Sequence, residues 1–381
     1  MPADALRIPP RPGMVLGAGA ADGLGELVRA VGADAAFVVS DRGLVAAGIV
    51  GSVVDGLARA GLRTGLFSDF SDFSDFWDVA PDPSVAAVAA GADASRAFGP
   101  AALVALGSGA TIDAAKAIGL RAAAPGPCPP ILAVPTTAGT GTETNAFAVI
   151  DDPDARCKRY VGHPSALPRY AVLDPALGLT VPPSVSAACG IDVLAHAIES
   201  IQARAGNAYA AALACEAARI VFAELPGVVR DGASLEGRAS MLLAAHLAGL
   251  AFATTGLGTA HAIGHALSAR HGSSHGRALA AVLAPVAALN APERPQASAR
   301  LVSAAGLAGA LPEAVVRLQA DVGLRPSLSE LGVGDGDLAS VADAALRDEV
   351  ILNAPRIPSR AELLRMLEAV HQPAREGAFV A

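Results

Sequence analysis

The feature that most constrains the fold is a change of sequence pattern near residue 183. Before it, apolar runs at Ala35–Val39, 102–106 and 131–134 alternate with alanine-rich segments of helix length, a pattern typical of parallel β-α-β units. After it, strand-like runs are rare, and periodic helices are predicted at 186–205, 208–222, 235–253, 259–268 and 361–371. The sequence therefore predicts an α/β domain at 1–183 and an all-helical domain at 184–381.

Composition narrows the class of protein. Of 381 residues, 52% are hydrophobic and 17% are charged, which excludes a disordered chain. The net charge of −8 and the lack of basic runs argue against a nucleic-acid-binding surface. The four cysteines form no CxxC pair, no signal peptide is recognisable, and no run of about 20 purely apolar residues could span a bilayer. We therefore expect a cytoplasmic protein with no nucleic-acid or membrane partner.

Histidines cluster in the helical half. Four of the eight lie within fifteen residues, at 261, 265, 271 and 275, and His196 follows Asp192 by four residues. Residues four apart share a helix face, so each such pair can point at a common centre. One carboxylate with two or three imidazoles suits a borderline divalent cation such as Fe²⁺ or Zn²⁺. A single such residue is more often a satisfied core group, but several on apolar helices need a common partner.

Three glycine-containing turns in the first half follow or connect predicted strands. The turn at 107–109 (GSG) leads from a strand into a helix, where backbone N–H groups can approach a phosphate. Residues 135–144 (PTTAGTGTET) carry hydroxyls suited to ribose, amide and phosphate contacts. The turn at 17–19 (GAG) leads to Asp41, which can accept a ribose 2′-hydroxyl and repel a 2′-phosphate. Each could be an ordinary structural turn, but together they favour dinucleotide binding.

Several segments together resemble the iron-containing (group III) alcohol dehydrogenase family, whose superfamily includes glycerol dehydrogenase and dehydroquinate synthase. Residues 135–143 (PTTAGTGTE) are close to the family's PTTAGTGSE, and 190–199 (GIDVLAHAIE) resemble its GIDAL-x-HA-x-E. Residues 248–252 (AGLAF) and the histidines behind them follow its second metal segment, while 173–175 and 348–355 fit its hinge and C-terminal signature. The resemblance covers nearly the whole chain and implies the dehydroquinate synthase-like fold.

This resemblance assigns roles residue by residue. The implied metal ligands are Asp192, His196, His261 and His275. His265 matches a proton-relay histidine near the nicotinamide. The implied cofactor-binding residues are Asp41, Gly107, Ser108, Gly109, Asp113, Thr136, Thr137, Thr140 and Lys158. The implied cofactors are NAD(H), favoured over NADP(H) by Asp41, and Fe²⁺ or Zn²⁺. The implied activity is that of an alcohol dehydrogenase or aldehyde reductase on a small molecule, in a homodimer or larger homo-oligomer.

Two departures from the family pattern affect the expected cofactor affinity and substrate. The family's GGGS turn reads GSGA at 107–110. Between His265 and His275, where bulky neutral side chains are usual, this chain has Arg270 and His271. Because an arginine fork binds carboxylate or phosphonate, an anionic aldehyde such as phosphonoacetaldehyde or a semialdehyde is the alternative substrate. Arg270 could equally cap a helix or pair with a surface acid.

Other functions have weaker support. A dehydroquinate synthase-type lyase would need several lysines and arginines for a phosphorylated substrate, and the metal segments contain few. The complete ligand set argues against a catalytically silent protein and against a metal-free maleylacetate reductase. The repeat at 67–76 (FSDFSDFSDF) predicts a surface loop or a connection at a sheet edge, to which we assign no function.

Overall fold

The computed structural model describes Leu6, Ile8 and residues 10–68, 83–152 and 157–373, with the backbone alone for 151, 152, 157 and 158. The chain forms two compact units. The α/β unit contains Pro10–Pro182 and Gly232–Gly249, and the helical unit contains Pro183–Asp231 and the chain from Leu250 onward. The chain passes from the first unit to the second at residue 183, where the sequence pattern changes. The segment Gly232–Gly249 returns to the α/β unit, which the pattern did not predict.

A six-stranded parallel sheet organises the α/β unit, with strand order β1-β8-β5-β4-β2-β3. Its strands are β1 (Gly13–Leu16), β2 (Ala35–Val39), β3 (Arg63–Phe67), β4 (Ala102–Gly107), β5 (Ile131–Pro135) and β8 (Tyr170–Leu173). A separate antiparallel hairpin consists of β6 (Phe147–Asp152) and β7 (Cys157–Gly162). All residues of β2, β4 and β5 are buried, as expected for central parallel strands covered by helices on both faces.

Helices cover both faces of this sheet. They are α1 (Leu24–Ala30), α2 (Arg42–Ala46), α3 (Ile49–Arg59), α4 (Val85–Phe98) and α5 (Gly109–Ala123). Neighbouring residues of one strand belong to different hydrophobic clusters, one on each face of the sheet, because successive side chains point to opposite faces. Leu103 packs with residues of α4 and α5, whereas Val104 packs with residues of α1 and α3. The carboxyl ends of β2, β4 and β5 thus lie side by side, and the loops that follow them share one edge.

Long helices make up the rest of the fold. They are α6 (Pro183–Gln202), α7 (Ala208–Arg230), α8 (Leu235–Thr255), α9 (Thr259–His271), α10 (His275–Asn290), α11 (Pro295–Ala304), α12 (Leu311–Asp321), α13 (Leu338–Arg347) and α14 (Arg360–Ala369). At Gly190 a Cβ atom would lie 2.3 Å from Leu225 Cδ1. Glycine therefore lets α7 pack directly on the backbone of α6, two residues before Asp192.

One helix of the described chain, α6, is long and apolar enough to cross a membrane, and the pair α8 and α9 passes the same criterion only as a span bent by 104°. In α6, 78% of the most apolar stretch is buried inside the protein. This burial is typical of a core helix of a globular protein.

The predicted fold class is confirmed: a parallel α/β region precedes a region in which the described residues form helices and no strands. The three predicted strands match β2, β4 and β5, and the predicted helix starts lie within three residues of those observed. Helix α7 continues past its predicted end at 222 and contains Pro226, because burial of Leu225 and Val228 compensates for the missing N–H. Of the repeat at 67–76, Phe67 ends β3, and the residues from 69 lie outside the described chain.

Candidate functional site

Three helices of the helical unit bring the predicted metal ligands together. Asp192 and His196 lie one turn apart on α6, His261 lies in the first turn of α9, and His275 is the first residue of α10. The Nε2 atoms of His196, His261 and His275 lie 3.5, 3.6 and 3.7 Å from Asp192 Oδ1. His275 is one-third exposed (33%), whereas the other three side chains are buried. Three imidazole nitrogens thus surround one carboxylate oxygen, and the ligand atoms of Asp192, His261 and His275 all lie within 4.8 Å of one another.

This donor set fits a divalent cation. Asp192 Oδ1 and His261 Nε2 are buried without a hydrogen-bond partner among the described residues. An unsatisfied buried polar group costs about 1–3 kcal/mol, and one shared cation would satisfy both atoms. Ligand atoms about 2.1 Å from an ion stand about 3.4 Å apart in a tetrahedral site, close to the separations seen here. One carboxylate with three imidazoles suits Fe²⁺ or Zn²⁺.

Glu199, also on α6, supports this centre. Its carboxylate accepts hydrogen bonds from the backbone N–H of Gly258 (2.9 Å) and Ala260 (2.6 Å) and from His261 Nδ1 (2.6 Å). The bond to Nδ1 fixes the His261 ring with Nε2 towards Asp192, as carboxylates commonly do for metal-binding histidines. No role for Glu199 was predicted from the sequence. Its signal was an acid seven residues after Asp192, on the same face of α6.

The charges of the centre keep its carboxylates ionised. Burial raises the pKa of Asp192, but the charge of His196, the neighbouring His261 imidazole and the charge of His275 outweigh burial and hold that pKa well below its usual range. Burial lowers the pKa of His261, whereas Asp192 and Glu199 raise it, with a net value of about 9. A cation that binds His261 Nε2 must therefore displace a proton.

His265 lies one turn beyond His261 on α9. Its Nδ1 is hydrogen-bonded to Asp348 Oδ2 at 2.8 Å, and its ring stacks on that of His275 with centroids 5.5 Å apart. Burial raises the pKa of Asp348, but the hydrogen bond and charge of His265, together with the backbone N–H of Val350, outweigh burial and lower that pKa below its ordinary value. An ionised Asp348 therefore orients the His265 ring, a role that the sequence analysis did not assign.

Phe252, near the end of α8, covers one ligand. Its ring centroid lies 4.6 Å from that of His196, which stacks in turn on His261 at 4.7 Å. Because Phe252 is itself buried, it shields this side of the centre from water. The sequence offered no signal for this contact beyond the apolar character of α8.

Arg270 and His271 occupy the last turn of α9. Arg270 is exposed, and its separation of nine residues from His261 places it on the opposite side of the helix. Its charge acts on Asp343, which pairs with Arg360 at the surface. His271 is partly buried, and its Nε2 has no hydrogen-bond partner within the part of the chain that the structure describes. These positions favour a surface role for Arg270 over a contact with substrate.

The turn at 107–109 lies between β4 and α5, as predicted. A Cβ on Gly107 would lie 2.3 Å from Thr111 Oγ1, and one on Gly109 would lie 2.4 Å from Thr140 Oγ1, so close packing requires both glycines. The backbone N–H of Thr136 donates to the Gly107 carbonyl at 2.9 Å. The structure thus brings Thr136 and Thr140 against the glycine turn at the carboxyl edge of the sheet, where such sheets bind ligands.

The remaining predicted cofactor residues near these loops are Ser108, Thr137 and Asp41. Ser108 and Thr137 are partly exposed on the loops after β4 and β5. Asp41 follows β2 and is buried, with Oδ1 accepting the backbone N–H of Leu44 at 2.9 Å as the N-cap of α2. Lys158 lies on β7, and its side chain is outside the described part of the structure.

Asp113 belongs to a buried network inside the α/β unit. Its Oδ1 accepts hydrogen bonds from the Thr142 hydroxyl and, at 3.3 Å, from Lys116 Nζ, and its Oδ2 accepts the backbone N–H of Val149 at 2.9 Å. Lys116, which is fully buried, also donates to the Thr142 carbonyl at 2.7 Å and to Asn145 Oδ1 at 3.0 Å. These contacts give Asp113 a structural role in the α/β unit, and its contact with the cofactor stays a prediction.

Similarity to known proteins identifies the family of this chain. The chain matches the iron-containing alcohol dehydrogenase family over residues 11–175 and the C-terminal part of the Fe-containing alcohol dehydrogenase family over residues 186–371. It is 30% identical to the NAD-dependent methanol dehydrogenase of Bacillus methanolicus, over 94% of this chain and 97% of that protein. It is 33% identical to the lactaldehyde reductase of Escherichia coli (strain K12), over 89% of this chain and 93% of that protein.

A solved structure shows the same fold. The sulfoacetaldehyde reductase from Bifidobacterium kashiwanohense, in complex with NAD⁺, is similar with a TM-score of 0.87 and 26% identity, over 97% of this chain and 100% of that one. The family matches together span most of the chain, in both its α/β and its helical parts. The chain therefore belongs to the iron-containing alcohol dehydrogenase family and is an NAD(H)- and metal-dependent oxidoreductase of alcohols and aldehydes.

Proposed function

We propose that this enzyme interconverts a small, neutral alcohol and its aldehyde with NAD(H), and that Asp192, His196, His261 and His275 hold the metal. The observation that carries this proposal is the convergence of three imidazole Nε2 atoms within 3.7 Å of one carboxylate oxygen. When bound, the divalent ion supplies positive charge at the substrate oxygen, and the nicotinamide accepts or gives a hydride.

We assign proton transfer to His265. Asp348 holds Nδ1 of this ring at 2.8 Å, so the proton that enters or leaves during the reaction is exchanged at Nε2. The carboxylate fixes the tautomer and the orientation of the ring. Asp348 is thus a positioning residue for His265.

We assign dinucleotide binding to the loops at the carboxyl edge of the sheet. The N–H groups at the start of α5 and the hydroxyls of Thr136, Thr137 and Thr140 suit phosphate and ribose contacts. Asp41 at the end of β2 disfavours a 2′-phosphate by like-charge repulsion, and Lys158 is assigned to the same cofactor from the resemblance alone.

The second candidate substrate is an anionic aldehyde. A structurally similar protein is named for sulfoacetaldehyde, an aldehyde that carries a sulfonate. The exposed position of Arg270, away from the ligand face of α9, gives this candidate less support than a neutral substrate. His271 Nε2, which is buried with no hydrogen-bond partner among the residues described, is the other group on this turn that could meet a polar substrate.

The test compares kcat/KM for neutral and anionic aldehydes of similar size, with NADH and with enzyme loaded with Fe²⁺ or Zn²⁺. We expect neutral aldehydes to be reduced better, and Arg270→Ala to change both classes equally. A loss confined to anionic aldehydes in Arg270→Ala would instead establish the anionic substrate. Absence of NADH-dependent reduction across the whole panel would contradict the proposed reaction.

We also propose that the enzyme works in the cytoplasm as a homodimer or larger homo-oligomer. The cysteines whose side chains the structure describes, Cys128, Cys189 and Cys215, are all free thiols, which suits a reducing compartment. Sedimentation of the metal-loaded protein tests the oligomer, and a monomer at micromolar concentration would contradict it.

A further inference from the structure

The loop between β5 and β6, residues 136–145, has a shape that depends on contacts outside itself. We call this segment the threonine loop. Its last residues form a tight turn in which the Thr144 hydroxyl donates to the Gly141 carbonyl at 2.7 Å. Lys116 of α5 fixes one side of this turn through the Thr142 carbonyl and Asn145. The threonines at its beginning and middle lie against the glycine turn, so the whole loop is part of the surface to which we assign the dinucleotide.

Helix α8 fixes the other side of the threonine loop. Gly141 has φ +60, and a Cβ there would lie 2.8 Å from Gly249 Cα and 2.9 Å from the Ala245 carbonyl. A Cβ on Gly249 would lie 2.6 Å from Thr144 Oγ1. The backbones of the loop and of α8 are therefore in direct contact, with no side chain between them. This contact explains why Gly232–Gly249 groups with the α/β unit.

A buried pair of titratable side chains joins the same two segments. His246 of α8 lies one residue after Ala245, and its Nδ1 is 3.1 Å from Oε1 of Glu143 in the threonine loop. Their side chains are 4% and 3% exposed, so no bulk water can replace either partner. Neither residue belongs to the metal centre, and the proposed chemistry uses neither. Stability alone does not explain a buried pair of this kind, because apolar side chains of the same volume often stabilise a protein equally well.

We propose that Glu143 and His246 are positioning residues that hold the threonine loop in the shape that binds NAD(H). This inference rests on the assignment of the dinucleotide to this loop. A hydrogen bond has direction, which an apolar contact lacks, so the pair fixes the orientation of the turn at 142–145 as well as its distance from α8. His246 thus acts on the cofactor through Glu143 and contacts no reacting group.

Two variants of equal size separate positioning from packing. Asparagine and leucine have nearly the same shape, but only asparagine places an N–H donor where His246 has Nδ1. We expect His246→Leu to raise the dissociation constant of NADH, measured by nicotinamide fluorescence with the metal-loaded enzyme, by roughly tenfold or more. His246→Asn should restore most of the affinity. At saturating NADH, kcat should stay near that of the parent in both variants.

His246→Leu alone leaves the buried Glu143 carboxylate without its partner and could therefore fold poorly. The double variant His246→Leu/Glu143→Met removes both partners, so it tests the pair without this penalty. We expect it to fold with a Tm near that of the parent and still bind NADH weakly. His371→Leu, at a buried histidine that is bonded to the Val333 carbonyl at 2.8 Å in the helical unit, is the control. It should lower the Tm and leave NADH affinity unchanged.

Parental NADH affinity in the double variant would overturn the positioning role and leave the pair with a structural function. Equal affinities in His246→Leu and His246→Asn would also overturn it, since the donor would then be irrelevant. If the parent itself binds no NADH, the assignment of the cofactor fails, and the positioning role fails with it. Titration of the parent with NADH therefore shows whether the cofactor assignment has failed or only the positioning role of the pair.

Discussion

Glu199 shows, at the scale of single residues, how the metal ligands are held in place. We expect Glu199→Gln to weaken metal affinity roughly 10- to 100-fold, because the carboxylate orients His261 and increases its basicity. Competition with a chelator of known affinity measures this change. Glu216→Gln, which removes an exposed ion pair with Arg219, is the control and should have no effect. Equal affinity losses in both variants would contradict the role of Glu199.

Asp41 should determine the choice of cofactor. Asp41→Asn keeps the side-chain oxygen that caps α2 through Leu44 and removes only the charge. We expect the parent to prefer NADH, and the variant to gain roughly tenfold or more in relative kcat/KM for NADPH, because like-charge repulsion of the 2′-phosphate is lost. Steady-state kinetics with both cofactors measure the ratio. Equal use of NADH and NADPH by the parent would show that Asp41 does not face the ribose.

The metal ligands could be predicted from the sequence, whereas the carboxylates that orient the histidines could not. Asp192 and His196 lie one helical turn apart, so their common direction is visible in the sequence itself. Glu199 and Asp348 act on histidines that are 62 and 83 residues away along the chain, and no local pattern reports such pairs. Conversely, Asp113 has the spacing of a cofactor residue, but its carboxylate is directed into the buried network of Lys116.

At the scale of elements, Lys116 ties α5 to the threonine loop and to β6. Lys116→Met would remove the buried ammonium group that donates to the Asp113 carboxylate and to the Thr142 carbonyl. We expect a loss of about 3–5 kcal/mol in the free energy of unfolding, because one partner of a buried charged pair is removed. Denaturant titration measures the loss. Arg121→Ala, at an exposed position of the same helix, should change stability by at most about 0.5 kcal/mol. A similarly small change in Lys116→Met would contradict the network.

The strands that could be predicted are those whose burial on both faces requires a continuous apolar run in the sequence. β2, β4 and β5 are apolar runs because both of their faces are covered. β1 was missed because it is a four-residue edge strand with exposed Met14 and Leu16, so it has no such run. The return of the first part of α8 to the α/β unit depends on the contact between Gly141 and Gly249, which are over 100 residues apart and share no local pattern.

In the whole molecule, we assign the dinucleotide to the α/β unit and the catalytic metal to the helical unit. The proposed reaction depends on the metal, and Asp192 Oδ1 and His261 Nε2 are buried without a hydrogen-bond partner among the described residues. Because we assign one cofactor to each unit, removal of either cofactor should abolish turnover while the other remains bound.

The most direct measurement is the metal content of the purified protein by mass spectrometry after loading with Fe²⁺ or Zn²⁺, alongside NADH-dependent activity. We expect one ion per chain in the parent, and loss of both ion and activity in His196→Ala with NADH binding retained. His163→Ala, at an exposed histidine of the α/β unit, should keep the ion and the activity. Full activity in a metal-stripped parent, or one tightly bound ion in His196→Ala, would contradict the proposed metal site.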